Sequence, residues 1–122
     1  MKNTSQIILP NNFNLRQTLN CGQCFRFTEP SENYFCGVAF DRYIEMRLNQ
    51  NVLEINCEQN FADSFLRDFF DLDFDYDSLN AALSKDETLK AAIEYAGGIR
   101  ILKQPAWETL CSFILSQNNN IK

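Results

Sequence analysis

Three runs in this chain carry residue types able to do chemistry. They are Cys21-Gly22-Gln23-Cys24, the aspartates at 71, 73, 75 and 77, and Asn118-Asn119-Asn120. The C-x-x-C pair offers a redox dithiol or half of a zinc site. Zinc wants a second ligand pair at defined spacing, and Cys36 and Cys57 complete four ligands by count only. A thioredoxin-like pair should follow a strand and open a helix, whereas Phe25-Arg26-Phe27 reads as strand. The alternative is two small, semi-buried residues flanking a glycine that the turn needs.

The run Asp71-Leu72-Asp73-Phe74-Asp75-Tyr76-Asp77 resembles the start of a calcium loop. Its sixth position is Tyr76 rather than glycine, and its twelfth is Ala82 rather than glutamate. A solvated acidic face with helix-capping aspartates is the better reading. Asn118-Asn119-Asn120 follows an apolar helix. It suits a polar terminal turn, yet asparagine can also enter a duplex and bond base edges. Gly22 is either a turn glycine or a point of close backbone approach to a ligand.

Composition narrows the chemistry. The chain has 122 residues and no histidine, which excludes a histidine base, triad or metal ligand within it. Net charge is −5, which opposes simple electrostatic capture of nucleic acid. The charge is uneven: nine acids and two bases fall between Glu58 and Glu87, and the remainder is +2. Any nucleic-acid surface must lie away from that acidic middle. Five cysteines, an odd number, predict no disulfide framework. Neither a metal nor a cofactor is expected. No apolar run approaches the roughly 20 residues of a membrane span. Ile7-Ile8-Leu9 before Pro10 is too short for a signal-peptide core, so a cytoplasmic protein is expected.

The first half reads as strands. Cys24–Thr28 alternates with Phe25 and Phe27 on one face, Glu29–Asn33 is a turn cluster, and Tyr34–Phe40 is the next strand. Ile44, Met46 and Leu48, then Leu53, Ile55 and Cys57, alternate with polar neighbours around a turn at Asn49-Gln50-Asn51. Such spacing predicts an antiparallel meander with one buried face. The second half reads as helices. Phe61, Phe65, Leu66, Phe69 and Phe70 share a stripe with Asn60 as N-cap candidate. Tyr76, Leu79 and Leu83 follow, then Leu89 to Ala96, closed by Gly97-Gly98. Pro105 suits the first turn of a last helix. Trp107, Leu110, Cys111 and Ile114 line one side of it, with Phe113 and Leu115 on others. A helix so apolar wants burial from several directions, so a longer protein is expected.

Two stretches, Phe13 to Phe27 and Gln104 to Lys122, together resemble the 8-oxoguanine DNA glycosylase/AP lyase family. The markers are the Gly22-Gln23-x-Phe25-Arg26 box and the Ser116-x-Asn118-Asn119-Asn120-Ile121 run. Phe69–Asp73 and Gly98–Leu102 also look like family segments, and the resemblance runs from about Phe13 to the end.

The resemblance implies an α+β fold: a twisted antiparallel β-sheet with packed helices, likened to the TATA-binding-protein fold, over residues 1–104. Residues 105–122 would be the first helix of a helix-hairpin-helix domain. It implies a bifunctional enzyme of base excision repair whose partner is double-stranded DNA containing 8-oxoguanine. The lesion base is extruded. A lysine amine attacks the sugar C1′ and forms a Schiff base, and strand cleavage follows by elimination. That lysine and its partner aspartate belong to the later domain, so no catalytic residue is expected in this chain, which alone should be inactive. Gly22 matches the glycine whose carbonyl accepts N7–H of the oxidised base. Guanine has a lone pair there instead, and a mismatched acceptor pair leaves desolvated groups unpaired at about 1–3 kcal/mol. Asn118 matches the residue that contacts the estranged cytosine. Asn119 and Asn120 support its turn, and Gln23 and Phe25 support the pocket, with Phe25 and Phe27 as core beneath its wall. Two rival readings are a non-catalytic DNA- or protein-interaction domain of this fold and a thiol oxidoreductase using Cys21 and Cys24.

Overall fold

The computed structural model describes residues 4–117. Five strands form one antiparallel sheet in the order β1-β5-β4-β3-β2. They are β1 (Ser5–Ile8), β2 (Phe27–Ser31), β3 (Tyr34–Ala39), β4 (Arg42–Asn49) and β5 (Val52–Ile55). The meander follows from period-two alternation, which places Phe35, Ala39, Ile44, Met46, Leu53 and Ile55 on the buried face. Across the sheet Phe35 opposes Met46, Gly37 opposes Ile44 and Ile7 opposes Leu53.

Three strand expectations change. β1 adds itself to the free edge of β5, a pairing that no local turn announces. The predicted strand at Cys24 begins only at Phe27, and it continues through Pro30 to Ser31, where a turn cluster was expected. Its register shifts between Thr28 and Ser31, and β2 is an edge strand, where proline removes no ladder bond. The turn itself centres on Asn33 at φ 58. β3 stops at Ala39, because Phe40 and Asp41 both have positive φ.

Helices cover the buried face. α1 (Leu15–Asn20) is capped by Asn14, whose side chain accepts from the Gln17 amide. α2 (Gln59–Phe61), a π-helical turn (Ala62–Leu66) and α3 (Arg67–Phe69) run on as one stretch. Its cap position is Glu58, two residues before the expected Asn60. The π turn inserts an extra residue, so Phe61 and Leu66, five apart, are both buried while Phe65 is 52% exposed. Phe65 instead stacks on Phe61 at 5.2 Å. Phe40 lies against Phe61, Phe65 and Phe69, and Phe27 against Phe69. Gly37 makes room for this: a Cβ there would stand 2.6 Å from the Phe27 ring.

α4 (Tyr76–Leu83) and α5 (Glu87–Ala96) are capped by Asp75 and Asp86. Gly97 follows α5 as its C-cap. An extended strap, residues 98–104, then crosses the body. Its amides are all engaged from Arg100 to Lys103: with Thr18 Oγ1, Tyr76 Oη, Gln23 Oε1 and the Phe69 carbonyl. Such complete pairing is what burial of backbone demands. Pro105 is the N-cap of α6 (Ala106–Ser116), one place before the first turn. α6 exposes Trp107 (74%), Leu110, Phe113, Ile114 and Leu115.

Candidate base-recognition loop

The loop that joins α1 to β2 holds the Cys21–Arg26 segment. Gly22 has φ +91, a conformation that side chains with a Cβ rarely adopt. Nothing lies within 4 Å of where its Cβ would be. The glycine is therefore required by backbone conformation, and it faces open space rather than a packed wall. Among the described residues no hydrogen bond engages its carbonyl.

Gln23 ties this loop to the strap. Its Nε2 donates to the Arg100 carbonyl at 2.7 Å, and its Oε1 accepts from the Leu102 amide at 2.9 Å. The side-chain amide thus pairs with the strap as a neighbouring strand would. From the other direction Gln104 Nε2 donates to the Gln23 carbonyl at 2.7 Å. Arg26 reaches Glu108 in the first turn of α6 at 2.9 Å. Both partners keep solvent access, so that pair orients more than it stabilises.

Phe25 is not the core residue expected beneath the pocket wall. It is 42% exposed, because strand alternation starts only at Phe27 and the residues before it belong to the loop. Phe27 does pack on the core. Asn118, Asn119 and Asn120 lie outside the described residues.

The thiols divide by environment. Cys21 is exposed and Cys24 half-buried. Burial, with the neighbouring Cys21 adding, pushes the Cys24 thiol up to about 11. A thiol so held carries a proton at neutral pH and is a poor nucleophile. Cys57 and Cys36 bond Ser5 and Thr28 in other places.

The aspartate run also separates. Asp71 accepts from Tyr76 Oη and pairs with Lys103, Asp73 pairs with Arg67, and Asp75 caps α4. Each acid has its own cation or donor, and the ring of oxygens that calcium needs is not formed by them. Among the described residues no group of three or more ligating side chains could hold a metal ion. No helix among them is long and apolar enough to cross a membrane.

Two residues of this neighbourhood were not singled out from sequence. Gln104 is one. Arg100 is the other: it is 1% exposed, bonds Asn12 through Nη2 and lies over the rings of Tyr76 and Phe13. Desolvation lowers its pKa from the usual arginine value. A basic residue inside the apolar run Ile99-Arg100-Ile101-Leu102 was the available signal for it.

Chemically, the loop offers a main-chain oxygen on an unpacked surface, held at residue 23 by three hydrogen bonds. That is an acceptor able to recognise an N–H donor, in a domain of the α+β class built on an antiparallel sheet. The chain belongs to the family described as 8-oxoguanine DNA glycosylase, N-terminal domain, whose model matches residues 6–110. No curated protein sequence matches it. Three solved structures illustrate the likeness. MBOgg1 in complex with low affinity DNA ligand is 43% identical with TM-score 0.90, over 97% of this chain and 41% of that one. The apo-form of Clostridium acetobutylicum 8-oxoguanine glycosylase/lyase is 34% identical with TM-score 0.91, over 99% of this chain and 43% of that one. The same glycosylase/lyase with dsDNA containing cytosine opposite to 8-oxoG is 36% identical with TM-score 0.84, over 90% and 38%. This chain thus spans less than half the length of each.

Proposed function

We infer that this chain is the base-reading N-terminal part of a bifunctional 8-oxoguanine DNA glycosylase/lyase. Residues 1–104 form the α+β domain, and residues 105–122 begin the helical domain that supplies the lysine and aspartate. The observation that carries this reading is the Gly22 carbonyl: without a hydrogen bond among the described residues, on an exposed loop, and tied through Gln23 to the strap. An oxygen so presented accepts N7–H of the oxidised base and repels the N7 lone pair of guanine. One such bond contributes about 0.5–1.5 kcal/mol, and the mismatch adds the desolvation of unpaired groups. Extrusion of the base brings it to the loop, and Asn118 fills the gap and contacts the estranged cytosine. The family membership and the relative solved with cytosine opposite to 8-oxoG support the substrate.

The complete protein is expected to release 8-oxoguanine from a duplex that carries it opposite cytosine. It is also expected to be trapped on that DNA by borohydride, which reduces the Schiff base. The 122 residues alone are expected to release none. Base release by the 122 residues, or the complete protein's failure to be trapped while releasing base, would refute the corresponding half of the reading.

A further inference from the structure

Gly22 and Gln23 contribute successive carbonyl oxygens to the same loop, and among the described residues one of the two is hydrogen-bonded. The Gln23 carbonyl takes the Gln104 carboxamide at 2.7 Å. No hydrogen bond among the described residues engages the Gly22 carbonyl. Gly22 lacks a Cβ, and the place where one would stand is open, so no side chain packs there to fix its dihedrals. The direction of the peptide between residues 22 and 23 is therefore set by whatever holds residue 23. The Gln23 side chain anchors one end on Arg100 and Leu102. Leu102 is buried, and the Arg100 amide bonds Thr18, which is buried too. The Gln23 carbonyl lies in the following peptide, and Gln104 holds it, so the Cα of residue 23, from which the peptide to Gly22 departs, is held through both its side chain and its carbonyl.

We propose that Gln104 is a positioning residue for base recognition: by occupying the Gln23 carbonyl it leaves the Gly22 oxygen as the open acceptor of this adjacent pair and helps to fix its direction. The proposal rests on the functional reading above. Gln104 needs no contact with the base. It directly precedes Pro105 and α6, so it also joins the orientation of the loop to the place where that helix begins. Without its donor, the Gln23 oxygen becomes a second acceptor that donors on an undamaged base can use, and the oxygen of residue 22 loses its fixed aim.

The test uses the complete glycosylase with Gln104→Met, which removes the donor at similar volume, and Gln104→Glu, which sets a carboxylate against the carbonyl. Two duplexes separate the roles: one with 8-oxoguanine opposite cytosine, one with a preformed abasic site, which has no base to read. Single-turnover excision should fall about tenfold in Gln104→Met and further in Gln104→Glu, the size of one well-placed hydrogen bond. Cleavage at the abasic site and the melting temperature should stay at wild-type values. Equal falls on both duplexes alongside a lower melting temperature would make Gln104 a merely structural residue and overturn the proposal. Unchanged excision in both variants would overturn it too. Wild-type protein inactive on both duplexes would instead sink the functional reading, and this role with it.

Discussion

The guanidinium carbon of Arg100 lies 3.9 Å from the centroid of the Tyr76 ring, and the hydroxyl of the same tyrosine accepts the Ile101 amide at 3.1 Å. Tyr76 opens α4, so one side chain joins that helix to the strap by its face and by its edge. Its hydroxyl in turn donates to Asp71 at 2.8 Å. The strap holding Gln23 is thereby fixed to the acidic middle of the chain.

Arg100 is held with Nε and Nη1 unpartnered among the described residues. Its burial therefore carries a desolvation penalty that a well-packed apolar side chain would avoid. Arg100→Met is expected within about 1.5 kcal/mol of wild type, whereas Arg100→Ala, which also opens a cavity, should lose about 3 kcal/mol. Urea denaturation of both variants checks this. Equal losses would show that the cation itself holds the strap.

Gly22→Ala meets no steric neighbour, so its effect should be conformational. A positive φ disfavours a Cβ by about 1–2 kcal/mol, and asparagine tolerates that region better than alanine. Thermal melts should rank wild type above Gly22→Asn and Gly22→Asn above Gly22→Ala. The same melts with no ranking would mean that the loop can shift to negative φ.

Cys24 should be slow to react. Its thiol is pushed up to about 11, against about 8.5 for an unfolded cysteine. The folded state therefore binds this proton more tightly, and the stability so gained is complete below about pH 8.5 and declines as pH rises toward 11. Denaturation midpoints between pH 7 and pH 10.5 should fall, and Cys24→Ala should flatten that limb. At pH 8, iodoacetamide followed by mass spectrometry should find Cys21 modified before Cys24.

Asp75 has the opposite sign. Hydrogen bonds from the Ser78 hydroxyl and then the Ser78 amide hold its carboxyl below the usual aspartate range. The folded state favours the charged form, so its contribution is present above about pH 3.9 and lost as pH falls through the lower folded value. The stability gap between wild type and Asp75→Ala should be full at pH 6 and should close in strong acid. A gap that is independent of pH would show that the neutral carboxyl caps α4 as well as the carboxylate does.

Much of the fold was legible as local pattern. Alternation at Ile44, Met46, Leu53 and Ile55 named the buried face, and the pair Gly97-Gly98 marked the end of α5. Three features escaped for identifiable reasons. β1 pairs with a strand about fifty residues away, so nothing near Ser5 signals it. Pro30 looked like a turn residue because its tolerance on an edge strand depends on which strand lies at the edge. Phe65 kept helical spacing with Phe61 until the π turn moved Leu66 into its place. At the site, Gly22 and Gln23 were visible as a motif, while Phe25 was wrongly placed inside.

The sequence by itself determined the type of most elements, the inward face of the meander and the family. Those rest on periodicity and short motifs, which neighbouring residues carry. Tertiary structure alone decided that Arg100 is buried and that Gln104 closes on Gln23. These bonds join residues 77 to 88 positions apart, and their partners are chosen by how the strap crosses the body. Local propensity holds no record of that crossing; only the closed chain brings the amides within reach.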